Sequence, residues 1–254
     1  MAEIMDGYWQ APPLARTLAL GVFVSSVGVY TGLLSGSWFY HHYMLLFTVP
    51  PHLWRPVANF LISGPKLGVI LDPYFLYSYL SQMEMSNPRF PRREDCVWYL
   101  IFVCSLILTI DGVFGLNTGF CLQGLILALA YTGTQDQRGV KVNYFFVTIP
   151  AQLIPYTMML MTILTQGPGA VPIQLAGLFS AHMYDFLSRI WPEFGGGTNW
   201  IATPAFITRL AGSTARIQER TFGTAIRPTG SGSGAGSGPL PDSWRTRGKG
   251  QRLG

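Results

Sequence analysis

The chain has 254 residues, 49% of them hydrophobic and 11% charged, with a formal net charge of +5. Soluble domains carry charge on about a quarter of their residues, so this composition excludes an ordinary water-soluble globule and points to a multi-pass membrane protein. It does not point to nucleic acid, because the basic residues sit in short segments between apolar runs and in the tail, where membrane topology places them.

In lipid every backbone group must pair internally, so helices are the expected elements. Residues 1–17 carry Glu3 and Asp6 and lack the processing pattern of a signal peptide, so the first apolar run is expected to stay as an anchor. No Lys, Arg, Asp or Glu occurs from Thr17 to Trp54. Residues 18–39 are long enough to span a bilayer. Residues 41–51, with two His and two Pro, read as an interfacial loop. A second span is placed at 56–79, interrupted by Gly64-Pro65 and carrying Lys66 and Asp72. Those charges lie on different sides of a helix, so each is expected to meet a wet cavity or a break in the helix. The run 97–131 holds one charge, Asp111, and is too long for a single span. Asp111-Gly112 reads as a turn, which predicts two short helices, 97–110 and 116–131. A fifth span is placed at 143–165, with Pro150 and Pro155, and a sixth at 171–190, with Gln174, His182 and Asp185 turned inward.

The Lys and Arg tally sets the orientation. With a cytosolic N-terminus, the cytosolic side holds Arg16, then Arg89, Arg92 and Arg93, then Arg138 and Lys141, then nine basic residues from Arg189 onward. The lumenal loops hold only Arg55. The fold class is therefore an all-α membrane protein, a bundle of six helices over 18–191 with both termini in the cytosol. Beyond it, 192–228 is a juxtamembrane segment. Its stretch 198–222 mixes Trp200, Phe206 and Ile207 with Arg209, Arg216 and Arg220, which suits either a basic interfacial helix or a solvated strand of chain. Residues 229–238 are a Gly/Ser linker leading to a short tail that ends at residue 254. The three cysteines, Cys96, Cys104 and Cys121, have no metal-type spacing and read as packing residues. No metal or cofactor is expected.

Several segments carry a family resemblance. Pro51-His-Leu-Trp54-Arg55 precedes the second span, where Trp suits the membrane interface and Arg ties loop carbonyls or lipid headgroups. This pair resembles the signature of the rhomboid superfamily. Pro12-Pro13-x-x-Arg16-Thr17 and Phe75-Leu-Tyr77-Ser-Tyr79-Leu-x-x-Met-Glu84 resemble derlins. So does Gly177-Leu-Phe-Ser-Ala181-His182-Met-Tyr184-Asp-Phe186, in which the small pair Gly177 and Ala181 lets a neighbouring helix approach closely. Trp191-Pro192, Gly195-Gly196 and Thr203-Pro204-x-Phe206 follow in the derlin order. The resemblance covers about residues 12–210 and implies a rhomboid-like fold without protease activity.

Rhomboid proteases place a serine in a Gly-x-Ser-Gly frame and a histidine on the sixth helix. Here the frame reads Gly115-Leu-Asn117-Thr118-Gly119, so His182 is left without a serine partner. The end of the chain, Gly248-Lys-Gly250-Gln-Arg252-Leu253-Gly254, resembles the SHP box that docks the AAA ATPase valosin-containing protein, although Arg247 stands where that box has an apolar residue. The resemblance implies a role in endoplasmic-reticulum-associated degradation. The chain would guide misfolded lumenal or membrane proteins beside a ubiquitin-ligase complex while the ATPase pulls. Lys66, Asp72, Gln174, His182 and Asp185 are the candidates for wetting one interior cavity. An active intramembrane serine-type protease and a small-solute transporter are the alternatives, the latter weakened because no internal repeat is visible.

Overall fold

The computed structural model describes residues 8–9, 11–46, 52–87, 89–135, 137, 139–144, 147–195 and 201–211. The chain divides into a unit of residues 1–216 and a second of 217–254. The Gly/Ser linker and the tail residues Gly248, Gly250, Arg252 and Leu253 lie outside the described residues.

Six helices of 13 residues or more account for most of the described chain: α1 (Pro13–Tyr30), α2 (Gly68–Ser86), α3 (Arg93–Phe114), α4 (Leu122–Thr134), α5 (Ile154–Gln166) and α6 (Val171–Asp185). By length and composition, α1 and α3 are apolar and long enough to cross a membrane, and α4 is a shorter apolar helix.

The first helix starts on Pro13, whose fixed φ suits the first turn and whose missing amide proton has no helical partner there anyway. Its buried face is built largely from small residues, Ala15, Ala19, Ser25, Ser26 and Gly28. This lets it lie against α2, whose Leu76, Leu80 and Met83 are buried. Glu84, near the end of α2, accepts the Ala15 amide at 3.4 Å, which sets a carboxylate on the positive end of the α1 dipole. The helix closes at Gly32, in the left-handed region at φ 79°, well short of residue 39.

Asp111-Gly112 does not make the expected turn. The helix runs through it to Phe114 and stops at Gly115, whose left-handed φ of 59° lets the amides of Gly115 and Leu116 both return to the Asp111 carbonyl. The fourth helix lies at the centre, with eleven of its thirteen residues buried, as expected of a helix apolar on every side. It packs against α2 and α6, and α3 packs against α6.

The expected fifth span is corrected over its first half, where a small hairpin interrupts an otherwise mostly helical chain. Lys141–Tyr144 (β1) and Val147–Pro150 (β2) form an antiparallel hairpin with Val142 opposite Ile149. β-Branched Val142, Val147, Thr148 and Ile149 favour strand. Pro150 ends the hairpin, and Pro155 then opens α5 in its first turn. The sixth helix continues past Asp185 as a π-helical turn, Phe186–Ile190, and a last α-turn, Trp191–Phe194. Of the stretch read as interfacial or solvated, the described part packs on the start of α3. Ile201 and Ile207 are buried, Trp98 Nε1 donates to the Ile201 carbonyl at 3.2 Å, and Thr203 Oγ1 donates to Asp95 at 2.6 Å.

Candidate functional site

The chain breaks between the single turn Arg55–Ala58 and α2. Gly64-Pro65 prevents a continuous helix here, Ile62 is extended, and Lys66 takes a left-handed φ of 59°. Side chains satisfy the freed backbone. Ser25 Oγ donates to the Leu61 carbonyl at 2.6 Å, Ser63 N donates to Ser26 Oγ at 2.9 Å, and Tyr30 OH donates to the Ser63 carbonyl at 2.8 Å. On the other side, Gly64 N donates to Asp72 Oδ2 at 2.7 Å, and Gln123 Nε2 donates to the same oxygen at 2.7 Å. Irregular backbone at membrane depth is expected only where protein or a water-filled cavity meets it. A cavity of about 290 Å³ opens at this point, walled by Lys66, Asp72, Phe75, Gln123, Tyr144, Met158, Met161, Thr162 and Gln166 among others. Gln174 is linked to this wall through Thr162, donating to its Oγ1 at 2.8 Å, while its buried Oε1 accepts no hydrogen bond among the described residues.

The other polar candidates lie at the opposite end of α4. Asp185 is buried and saturated. Oδ1 pairs with Arg89 Nη1 at 3.1 Å, and Oδ2 takes Gln135 Nε2 at 3.2 Å and Arg189 Nη2 at 3.4 Å. His182 is exposed, its Nδ1 3.1 Å from Tyr131 OH. A second cavity of about 560 Å³ is walled here by Arg89, Arg92, Asp95, Tyr184, Asp185, Ser188, Arg189 and Thr203 among others. Gln123 and Gln135 mark the two ends, and the helical rise puts them roughly 18 Å apart. The single wet interior expected from the sequence is therefore corrected. Lys66, Asp72 and Gln174 gather at one end, and His182 and Asp185 at the other.

The Trp54–Arg55 pair splits its work. Arg55 is nearly buried and clamps the preceding loop, with Nη1 donating to the Ser37 and Tyr40 carbonyls, each at 2.6 Å, and Nε donating to His52 Nδ1 at 3.0 Å. Trp54 is exposed beside the His52 ring, as an interfacial anchor is. The clamped loop is latched to the start of α4: His41 N donates to the Gly119 carbonyl at 2.9 Å, and Tyr40 meets Phe120 edge-on. Burial lowers the His41 pKa.

The small pair behaves as expected at Gly177. A Cβ there would run into the backbone of Gly124, and one on Gly124 would lie 2.5 Å from the Ile173 carbonyl oxygen. Two glycine backbones thus set the crossing of α4 and α6, with Ala181 buried one turn on. The hydroxyl nearest to a protease frame, Thr118 Oγ1, donates to Asp111 at 3.1 Å, whereas His182 bonds to Tyr131, three turns along α4. Ser180 Oγ donates to the Ala176 carbonyl. No nucleophile–base pair joins these residues.

Sequence reasoning missed Gln123, Gln166, Arg89 and Gln135. A lone amide in an apolar run was the available signal at Gln123.

Comparison with known proteins identifies a family. The Der1-like family model matches residues 11–205. Human Derlin-1 is 27% identical over 215 residues, 82% of this chain and 83% of that protein. An uncharacterized derlin-like protein of Schizosaccharomyces pombe is 27% identical over 193 residues, covering 74% of this chain and 83% of its own length. Derlin-2 of Oryza sativa is 24% identical over 247 residues, 92% and 94% of the two chains. A match over this much of the chain establishes that it belongs to the Der1-like family.

Proposed function

We propose that the chain is a non-catalytic membrane component of endoplasmic-reticulum-associated degradation that helps misfolded lumenal or membrane proteins reach the cytosol. The observation that carries this reading is a largely apolar cavity that holds the Asp72 carboxylate at a helix break inside a Der1-like chain. Such a cavity gives polar chain a place to enter where lipid alone would reject it.

In this reading the six helices are six spans of the endoplasmic reticulum membrane, with both termini cytosolic, as the Lys and Arg tally requires. The Asp72 cavity then opens toward the lumen and the Asp185 cluster toward the cytosol. The helices α4 and α5 have 13 residues each. Each is about 20 Å long against a hydrocarbon core of about 30 Å, so the bilayer thins around them. The energy for extraction comes from a partner, the AAA ATPase valosin-containing protein, docked on Gly248, Gly250, Arg252 and Leu253, with a ubiquitin-ligase complex alongside.

A protease reading is not favoured, because Thr118, in the loop before α4, is engaged with Asp111 of α3, whereas His182 is engaged with Tyr131 in the last turns of α4. Nothing favours a solute transporter. The test is a degradation chase of model misfolded proteins in cells that lack the chain. Clients are expected to persist, and unchanged decay of every client would refute the reading. Truncation before Gly248 is expected to abolish ATPase pull-down while membrane insertion stays intact.

A further inference from the structure

Pinning the helix break uses only one oxygen of Asp72. Oδ2 takes both the Gly64 amide and the Gln123 amide. Oδ1 accepts no hydrogen bond among the described residues, is not one of the sealed buried atoms, and so is the atom open to the 290 Å³ cavity. Among the described residues no Lys, Arg or His nitrogen lies within 4.0 Å of the carboxylate, and Lys66, which walls the same cavity, does not pair with it. A carboxylate at membrane depth calls for a counter-charge.

The walls indicate which kind. Phe75 and Tyr144 stack at 5.6 Å on one side, and Met158 and Met161 line another. Aromatic faces attract cations, and thioethers adapt to apolar shapes that vary. An open carboxylate oxygen in a slot walled by rings and thioethers complements a side chain with an apolar stem and a cationic head. A lysine or arginine within a membrane segment is costly in lipid and is normally paired inside its own assembly. A protein that has lost that assembly exposes it.

We propose that this cavity receives the basic side chain of a client's membrane segment, with Asp72 Oδ1 as its counter-ion. The inference rests on the reading that the chain handles misfolded polypeptides, and it names the class of client that the Asp72 cavity selects.

The test uses the full chain in lipid nanodiscs and a set of synthetic single-span helices carrying Lys, Arg, Leu or Glu at successive depths. Affinity is read from fluorescence transfer between labelled helix and labelled chain. Lys and Arg helices are expected to bind at least about tenfold more tightly than the Leu helix, with the advantage peaking at one depth and Glu weakest. Asp72→Asn, whose remaining oxygen still accepts both amides, is expected to erase the preference for Lys over Leu. Equal affinity of the wild-type chain for Lys and Leu helices overturns the inference without any variant, and leaves the broader reading standing. Binding of no helix overturns it as well. If client decay in cells is also independent of the chain, the broader reading falls with it.

Discussion

Two buried carboxylates, Asp72 and Asp185, occupy opposite ends of α4 and have opposite states. Asp185 has both oxygens engaged, by two arginines and a glutamine drawn from three segments of the chain. Asp72 has one oxygen engaged, by two neutral amides, and the other facing a cavity. A closed ion-pair cluster holds a fold together, whereas a half-satisfied carboxylate at membrane depth awaits a partner. The difference marks Asp185 as a rivet and Asp72 as a receptor, although both appear in the sequence as an acid in an apolar run.

The comparison depends on α4 and α6 crossing where they do, so the largest expected effect comes from moving that crossing. Gly177→Val drives a side chain into the Gly124 backbone. It is expected to cost about 3 kcal/mol or more, read as loss of the folded, monodisperse form in detergent unfolding titrations. Next is Asp185→Asn, which removes the charge shared by Arg89 and Arg189. Those arginines are partly solvated, which reduces the loss to about 2 kcal/mol in the same titration. Arg55→Lys keeps the charge but not the two-carbonyl geometry. About 1–2 kcal/mol and faster proteolysis of the loop before Arg55 are expected. Asp72→Asn retains both amide bonds and should shift stability by less than about 1 kcal/mol, which separates it cleanly from Asp185→Asn.

The smallest effect is one of pH. Burial lowers the His41 pKa in the fold, so the folded state binds fewer protons than the unfolded one. Stability is then lost as pH falls below the ordinary histidine value of about 6.5 and is unaffected above it. His41→Gln is expected to flatten that dependence, measured as the difference between variant and parent melting curves from pH 8 to 5.

Much of this was legible in the sequence, for identifiable reasons. Apolar runs located α1, α3, α4 and α6 and overlapped only part of α2 and α5, and the charges Lys66 and Asp72 marked the break because no other residue of that run carries a charge. The errors came where a local signal was outranked. Asp111-Gly112 looked like a turn, but the left-handed residue that stops the helix is Gly115. Residues 143–150 looked apolar enough for a span, but their β-branched pattern forms a hairpin. The division of the polar residues into two ends was not legible, because it depends on which end of each helix meets which neighbour. Nor were the partners of Arg55, which are backbone carbonyls with no side-chain signature.

The most direct test of the account follows two misfolded membrane clients that differ only by a lysine or a leucine in the membrane segment. Their decay is measured in cells whose copy of the chain is either parental or Asp72→Asn. The variant is expected to lengthen the half-life of the lysine client several-fold, to leave that of the leucine client near its parental value, and to accumulate to the same level as the parent. Decay of the lysine client at the parental rate in cells carrying the variant would contradict it.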